Sequence, residues 1–341
     1  MYQWAVIGAG PAGIAAVGKL LDNGVAAKDL VWIDPQFCVG DFGTKWRNVP
    51  SNTKVKLFTR FLHASPAFNY AACAEDFALN FADPNANCYL NLMADPLQWV
   101  THHLQSQVFC IKDTAEELFF QNQVWHIHLQ ESIIQANNVI LAVGSEPKHL
   151  EFSSVKTLSL QEAMDHEYVK NHINKEDTIA VFGSSHSAIL AIRNLVDAKV
   201  KRVINFYRSP LLYAVYYDDW ILYDDTGLKG STAEWARQHI DGQMPDNLER
   251  VFSDDENIEK FLPQCDRAVY AVGFERRSIK TNVPHLNHTE HDGKIAPGLY
   301  GIGIAYPEAK ANRLGTVEYR VGLWKFMEYL QRVVPVWVGL E

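Results

Sequence analysis

The chain has 341 residues, 48% of them apolar, and a formal charge of −9. That length and apolar content suit two globular domains with sizeable cores and exclude a disordered chain. The acidic balance argues against nucleic acid as a partner, and no apolar run approaches the length of a membrane span, so a soluble cytoplasmic protein is expected. The five cysteines, Cys38, Cys73, Cys88, Cys110 and Cys265, are scattered. None has C-x-x-C spacing, so neither a zinc knuckle nor a redox dithiol is encoded locally, and no metal site is expected.

The N-terminus reads as a short buried strand, Tyr2 to Ile7, followed at once by Gly8-Ala9-Gly10-Pro11-Ala12-Gly13. An apolar helix opens near Ile14, with Gly24 as its stop, and a second strand, Leu30 to Ile33, ends at Asp34. Asp34 lies 21 positions after Gly13, the spacing of a dinucleotide-binding strand–helix–strand unit. Gly8 permits the tight turn, Gly10 lets the backbone approach a diphosphate, and Gly13 lets helix and strand pack closely. The helix start then offers free amides and the positive end of the dipole to phosphate, and Asp34 can accept from a ribose diol.

Further along, Val124 to His128 alternates like a strand of an antiparallel meander. Val139 to Val143 is a buried strand that ends at Gly144-Ser145-Glu146-Pro147. A second fingerprint then appears, Gly183-Ser184-Ser185-His186-Ser187-Ala188, between a strand (Thr178 to Phe182) and a helix (Ser187 to Asp197). The next strand, Val203 to Tyr207, ends at Arg208-Ser209 instead of an acid. An arginine there suits the 2′-phosphate of NADPH, so NADPH is expected in preference to NADH. Ser185 stands where a second glycine is usual, and its side chain either donates to the ligand or loosens the site. His186 enters the helix as a polar residue beside the ligand.

Residues 211–243 are rich in aromatics and acids and are read as a loop, either a lid over the site or a solvated acidic segment. His102-His103 and His126-x-His128 are read as structural. Ala268 to Phe274 and Gly298 to Gly303 each repeat the strand-then-glycine form, and a helix is expected from Thr316 to about Val333.

This order of motifs resembles the two-dinucleotide-binding-domain flavoproteins, the pyridine nucleotide-disulfide oxidoreductase superfamily. The resemblance covers nearly the whole chain. It implies an α/β fold of two Rossmann-like dinucleotide-binding domains, with the NAD(P)H domain (151–265) inserted into an FAD domain (1–150 and 266–341). The implied FAD contacts are Gly8, Gly10, Pro11, Ala12, Gly13, Asp34, Trp46, Gly144 and Gly303. Those for NADPH are Gly183, Ser184, Ser185, His186, Ser187, Arg208 and Ser209.

The disulfide-reductase branch carries a cysteine pair beside the flavin, and residues 40–54 contain no cysteine. Gly43-Thr44-Lys45-Trp46 and Ser51-Asn52-Thr53-Lys54 are instead similar to segments of the flavin monooxygenase branch, with Asn52 near the flavin's reactive edge. Asn52 also reads as a plain turn residue. The implied activity is hydride transfer from NADPH to FAD, followed by monooxygenation of a small molecule. A flavin reductase with another acceptor, and a flavin-binding protein with a decayed nucleotide site, stay open alternatives, as does a homodimer.

Overall fold

The computed structural model describes residues 1–284 and 286–339. The chain divides into two compact units. Met1–Arg47, Thr53–Ser145 and the chain from Arg276 onward form the first, and Asn48–Asn52 with Glu146–Glu275 form the second.

The first unit opens with strand β1 (Tyr2–Ile7), helix α1 (Pro11–Asp22) and strand β2 (Leu30–Ile33). A one-and-a-half-turn helix α2 (Gly40–Thr44) and the longer α3 (Asn91–Gln105) follow. Next come β3 (Phe109–Ile111), β4 (Ala115–Gln121), β5 (Val124–Leu129) and β6 (Ile133–Leu141). Their order across the sheet is β4-β5-β6-β1-β2-β3. β1 pairs in parallel with β2 and β6, its last residue Ile7 lying beside Ile33 and Leu141. β4, β5 and the first half of β6 form the expected antiparallel meander. The four buried residues that end β1, and all of β2, explain their near-continuous apolar sequence, because helices or strands cover both faces. α1 starts with proline at its first turn and buries Ala12 through Leu20.

The second unit is built on a five-stranded parallel sheet. It contains β7 (Thr178–Phe182), helix α4 (His186–Asp197), β8 (Arg202–Tyr207), helix α5 (Gly230–His239), β9 (Leu248–Phe252) and β10 (Arg267–Tyr270). β7 is flanked by β8 and β10, and β9 extends the sheet beyond β8. The sequence boundary at residue 266 therefore moves. Arg267–Tyr270, expected in the returning part of the first domain, pairs with Ile179–Phe182 and belongs to the second unit. Two similar parallel strands ending in glycine cannot be assigned to one sheet or the other from sequence alone.

The chain returns to the first unit with β11 (Leu299–Gly301), which runs parallel to the last three residues of β6. An antiparallel hairpin, β12 (Glu308–Ala311) with β13 (Val317–Arg320), precedes helix α6 (Leu323–Trp337). The helix expected from Thr316 thus starts later. Residues 317–320 are strand, and Gly322 at φ 150° breaks the chain before the helix begins. The hairpin inverts the usual pattern: Val317 and Tyr319 face outward while Glu318 and Glu308 are buried. Glu308 accepts from Arg320 Nη1 at 2.9 Å and Arg332 Nη2 at 2.7 Å, and Arg320 also donates to Glu328 at 2.7 Å.

No helix among the described residues is long and apolar enough to cross a membrane. Truncating Glu308 to alanine leaves Arg320 partly buried with one partner. The expected cost is about 2–3 kcal/mol in urea unfolding of the first unit, at the low end for a buried pair because Arg332 is largely exposed; an unchanged unfolding midpoint refutes it.

Candidate cofactor-binding sites

In the first unit the fingerprint loop closes between β1 and α1. Gly8 has φ 107°, and a Cβ there would collide with the Ala142 carbonyl. A Cβ on Gly13 would collide with the Gly8 carbonyl. Packing therefore demands glycine at both. Gly10 is different. A Cβ there would meet nothing nearer than Val39 O at 4.0 Å, and its φ of −75° suits any residue. Open space lies over Gly10, at the start of a helix whose N-terminal amides have no capping side chain. Such amides are satisfied by water or a ligand, and an uncapped helix start beneath open space is what a diphosphate requires.

Asp34 sits at the end of β2, only 8% exposed. Its carboxylate accepts three backbone amides: Ala9 at 2.7 Å, Gln36 at 2.8 Å and Phe37 at 2.7 Å. A carboxylate has about four acceptor positions, so with three backbone amides Asp34 chiefly holds the loop. The adjoining wall carries residues the sequence did not single out. A cavity of about 350 Å³ is lined by Gln36, Cys38, Gln98, His102, Gln105 and Lys112, among others. Gln98 donates to Phe37 O at 3.0 Å and lies 2.9 Å from His102 Nε2. His102, read as structural, thus lines a cavity, whereas His103 stacks on Trp99. The missed signal was polar: Gln98, His102 and Gln105 recur at helical spacing on α3.

Pro11 and Ala12 open α1, and a Cβ on Gly303 would stand 2.8 Å from that of Ala12, so the β11 exit lies against the helix start. Gly144, at φ 73°, forms the turn after β6. Trp46 is half-buried, its amide bonded to Asp41 O at 3.1 Å. Asn52 lies in the strand Pro50–Lys54, half-buried, not in a turn. It falls in the segment Asn48–Asn52, which groups with the second unit and not with the first fingerprint.

The second unit repeats the arrangement. Gly183 has φ 127°, and a Cβ there would collide with the Ala271 carbonyl. Ser185 precedes α4, exposed and making no capping bond, so these helix amides are uncapped too. Gly183, Ser184, Ser185, Arg208 and Ser253 border a crevice of about 190 Å³, floored by Phe182 and Phe206. Ser184 Oγ lies 3.2 Å from Ser209 Oγ. Ser253, reached from β9, was not anticipated. Ser187 lies in the first turn of α4. The His186 imidazole does not join this wall. Its Nδ1 is buried without a hydrogen-bond partner, and burial together with the nearby Lys229 charge pushes its pKa down to about 4. His186 is therefore neutral near pH 7.

Residues 211–243 are more ordered than a loop. Val215–Tyr216 pairs with Ile221–Leu222, and Tyr217 stacks on Trp220 at 4.8 Å. Helix α5 buries Thr232, Ala233, Trp235 and Ala236, and Ser231 accepts from Arg193 of α4 at 3.2 Å. Lys229 is held by the Asp224 carboxylate at 2.8 Å and by its carbonyl.

All five cysteines are free. Burial pushes Cys110 and Cys265 up to about 11 and raises Cys88. Among the described residues no group of histidine, cysteine and acid is arranged to hold a metal.

Two α/β units, each with parallel central strands and an uncapped helix start beyond a glycine turn, define a scaffold of two Rossmann-like units. The chain belongs to the pyridine nucleotide-disulphide oxidoreductase family, whose model matches residues 2–221. It is 34% identical, over 98% of its length and 97% of the relative's, to a protein named monooxygenase AgnR1 from Paecilomyces divaricatus. Its fold is similar to the ornithine N-hydroxylase of Kutzneria sp. 744, with TM-score 0.66, 13% identity and 98% of each chain covered. It is also similar to the bacillithiol disulfide reductase of Staphylococcus aureus, with TM-score 0.65, 12% identity, 99% of this chain and 98% of that one.

The two glycines Gly10 and Gly13 are expected to separate. Gly13→Ala overpacks the helix–strand contact and should lower apoprotein stability by about 2 kcal/mol. Gly10→Ala should leave apoprotein melting unchanged yet weaken binding of FAD, the cofactor the sequence resemblance implies, at least about tenfold by obstructing the phosphate approach. Fluorescence titration alongside thermal melting checks both, and equal effects of the two substitutions on melting contradict the assignment.

Proposed function

We propose that the protein is an FAD-dependent oxidoreductase that takes hydride from NADPH and monooxygenates a small molecule. One observation carries this reading: each unit ends its first central strand in a glycine turn beneath a helix start without a capping side chain. The 34% identical relative, named a monooxygenase, favours oxygen over other acceptors.

FAD, when bound, supplies the two-electron chemistry between nicotinamide and acceptor. The protein's residues bind, orient and exclude water. Gly10, Pro11, Ala12 and Gly13 hold the diphosphate at the start of α1, with Gly144 and Gly303 framing the turns on either side. Asp34 keeps the loop in shape and gives its remaining acceptor position to the ribose. Trp46 forms a pocket wall. In the second unit, the amides after Ser185 take the NADPH diphosphate, and the Ser185 hydroxyl donates where a glycine would merely leave room. His186 and Ser187 contribute their backbone amides. Arg208, Ser184 and Ser209 surround the 2′-phosphate, the guanidinium with full charge and the hydroxyls as donors. We place the protein in the cytoplasm on its sequence pattern.

Rapid mixing of the FAD-loaded protein with NADPH under nitrogen tests the reading. The flavin absorbance should bleach, and admitting air should restore it with product formed only when substrate is present. Failure of both NADPH and NADH to bleach it defeats the enzyme reading, and fast reoxidation that never yields oxygenated product favours a reductase. Arg208→Ala should raise the KM for NADPH at least about tenfold, the scale of one lost charge-assisted contact, and leave that for NADH nearly unchanged. Equal effects on the two coenzymes rule out the phosphate assignment.

A further inference from the structure

We propose that Arg277 and Asp41 form a clasp across the first fingerprint loop that retains bound FAD, so that release requires the pair to open. This rests on the FAD reading above.

Three contacts place Arg277 on one side of the loop. Its amide donates to Gly144 O at 3.1 Å, and its Nη1 donates to Val143 O at 3.3 Å. A Cβ on Gly144 would stand 3.1 Å from Nη1, so the guanidinium lies on the bare face of the glycine. This turn leaves β6 directly beside β1, whose Ile7 carbonyl accepts from the Ala142 amide at 2.9 Å.

Asp41 stands on the other side. It follows Gly40, where a Cβ would lie 3.0 Å from the Gly10 Cα, so α2 begins on top of the fingerprint loop. Val39 and Gly40 both adopt left-handed backbone to bring it there, with φ of 60° and 57°. Arg277 Nη2 reaches across to Asp41 Oδ2 at 2.5 Å. Lys45 flanks the same carboxylate at 3.4 Å. The pair therefore joins the β6 exit to the segment lying over Gly10, from residues 236 positions apart. The fingerprint loop packs against both sides of this link, Gly8 against Ala142 and Gly10 against Gly40.

A partly exposed ion pair adds little to folding. Its placement matters for exchange instead. A ligand seated under the link leaves only when the link is broken. An arginine suits this because one fork of its planar guanidinium holds a carbonyl while the other holds a carboxylate. Arg277 and Asp41 are thus positioning residues for cofactor retention.

The test measures FAD release from the loaded full-length protein, by the fluorescence gained on dilution. Arg277→Met and Asp41→Asn should each speed release about tenfold, and the double variant no more than either single one, as for groups acting as a unit. Apoprotein melting temperatures should stay near wild type. Release from the wild type should also quicken several-fold between 0.1 M and 1 M salt, where screening shortens to about 3 Å, and the Asp41→Asn protein should lose that dependence. The salt arm needs only one substitution and stands even where Arg277→Met fails to fold. Wild-type release rates in either single variant, effects that multiply in the double variant, or an undiminished salt dependence in Asp41→Asn each overturn the clasp. A wild-type protein that binds no FAD overturns the cofactor reading as well, whereas tight binding with unaltered release overturns the clasp alone.

Discussion

The close approach of α1 to β1 and β6 is the constraint on which the first unit depends. With no Cβ at Gly8 and Gly13, the helix start presses against the backbone of both strands. That contact fixes where the uncapped amides point. It also forces the loop between strand and helix to be short, and a short loop must be held in one shape. Two side chains of the second strand's end do this. Trp32 Nε1 donates to Gly8 O at 2.9 Å, and the Asp34 carboxylate gathers the amides of Ala9, Gln36 and Phe37. The acid read from the sequence as a ribose ligand is first a structural brace.

The second unit solves the same problem at the equivalent register position. Val6 lies beside Trp32 in the first sheet, as Val181 lies beside Asn205 in the second. Asn205 is fully buried and donates to Gly183 O at 2.8 Å and to Val181 O at 2.9 Å. In both units, then, a side chain from the second strand donates to the carbonyl of the fingerprint's first glycine. Behind Asn205, Arg250 Nε donates to its Oδ1 at 2.8 Å and the guanidinium stacks on Tyr207. The helix sits less tightly here, because Ala188 stands in place of the third glycine, 3.2 Å from where a Gly183 Cβ would be. Ser185 needs no such loosening, because a Cβ at the equivalent Gly10 would meet nothing nearer than 4.0 Å even beside the tighter helix.

The strands and helices adjoining the glycine motifs were legible because each signal there is local. A buried strand, a glycine turn and an apolar helix occupy about twenty consecutive residues. What escaped the sequence is long-range. The assignment of Arg267–Tyr270 to one sheet depends on pairing with Ile179–Phe182, nearly ninety positions away. The 317–320 strand escaped because its apolar residues face outward and its charges inward, a pattern supported by Arg320 and Arg332 converging on Glu308. Ser253, His102 and Arg277 lack a motif of their own. Ser253 and Arg277 are brought to strand ends by distant turns, which spacing along the chain does not record, whereas His102 shows only in the helical recurrence of Gln98, His102 and Gln105.

The cysteines decide how this scaffold must work. Two-electron transfer to a disulfide needs two sulfurs together and a thiolate to attack. The chain has five free thiols, and burial pushes Cys110 and Cys265 up to about 11, so both stay protonated near neutral pH. With no dithiol, the function proposed above sends the electrons to an acceptor that arrives by diffusion. The demand on the protein then shifts from aligning sulfurs to holding the cofactor and shielding it from water. Within the first unit that demand falls on the α1 start, the Asp34 brace and the Arg277–Asp41 link. These are packing and charge constraints, and none of them needs a reactive side chain.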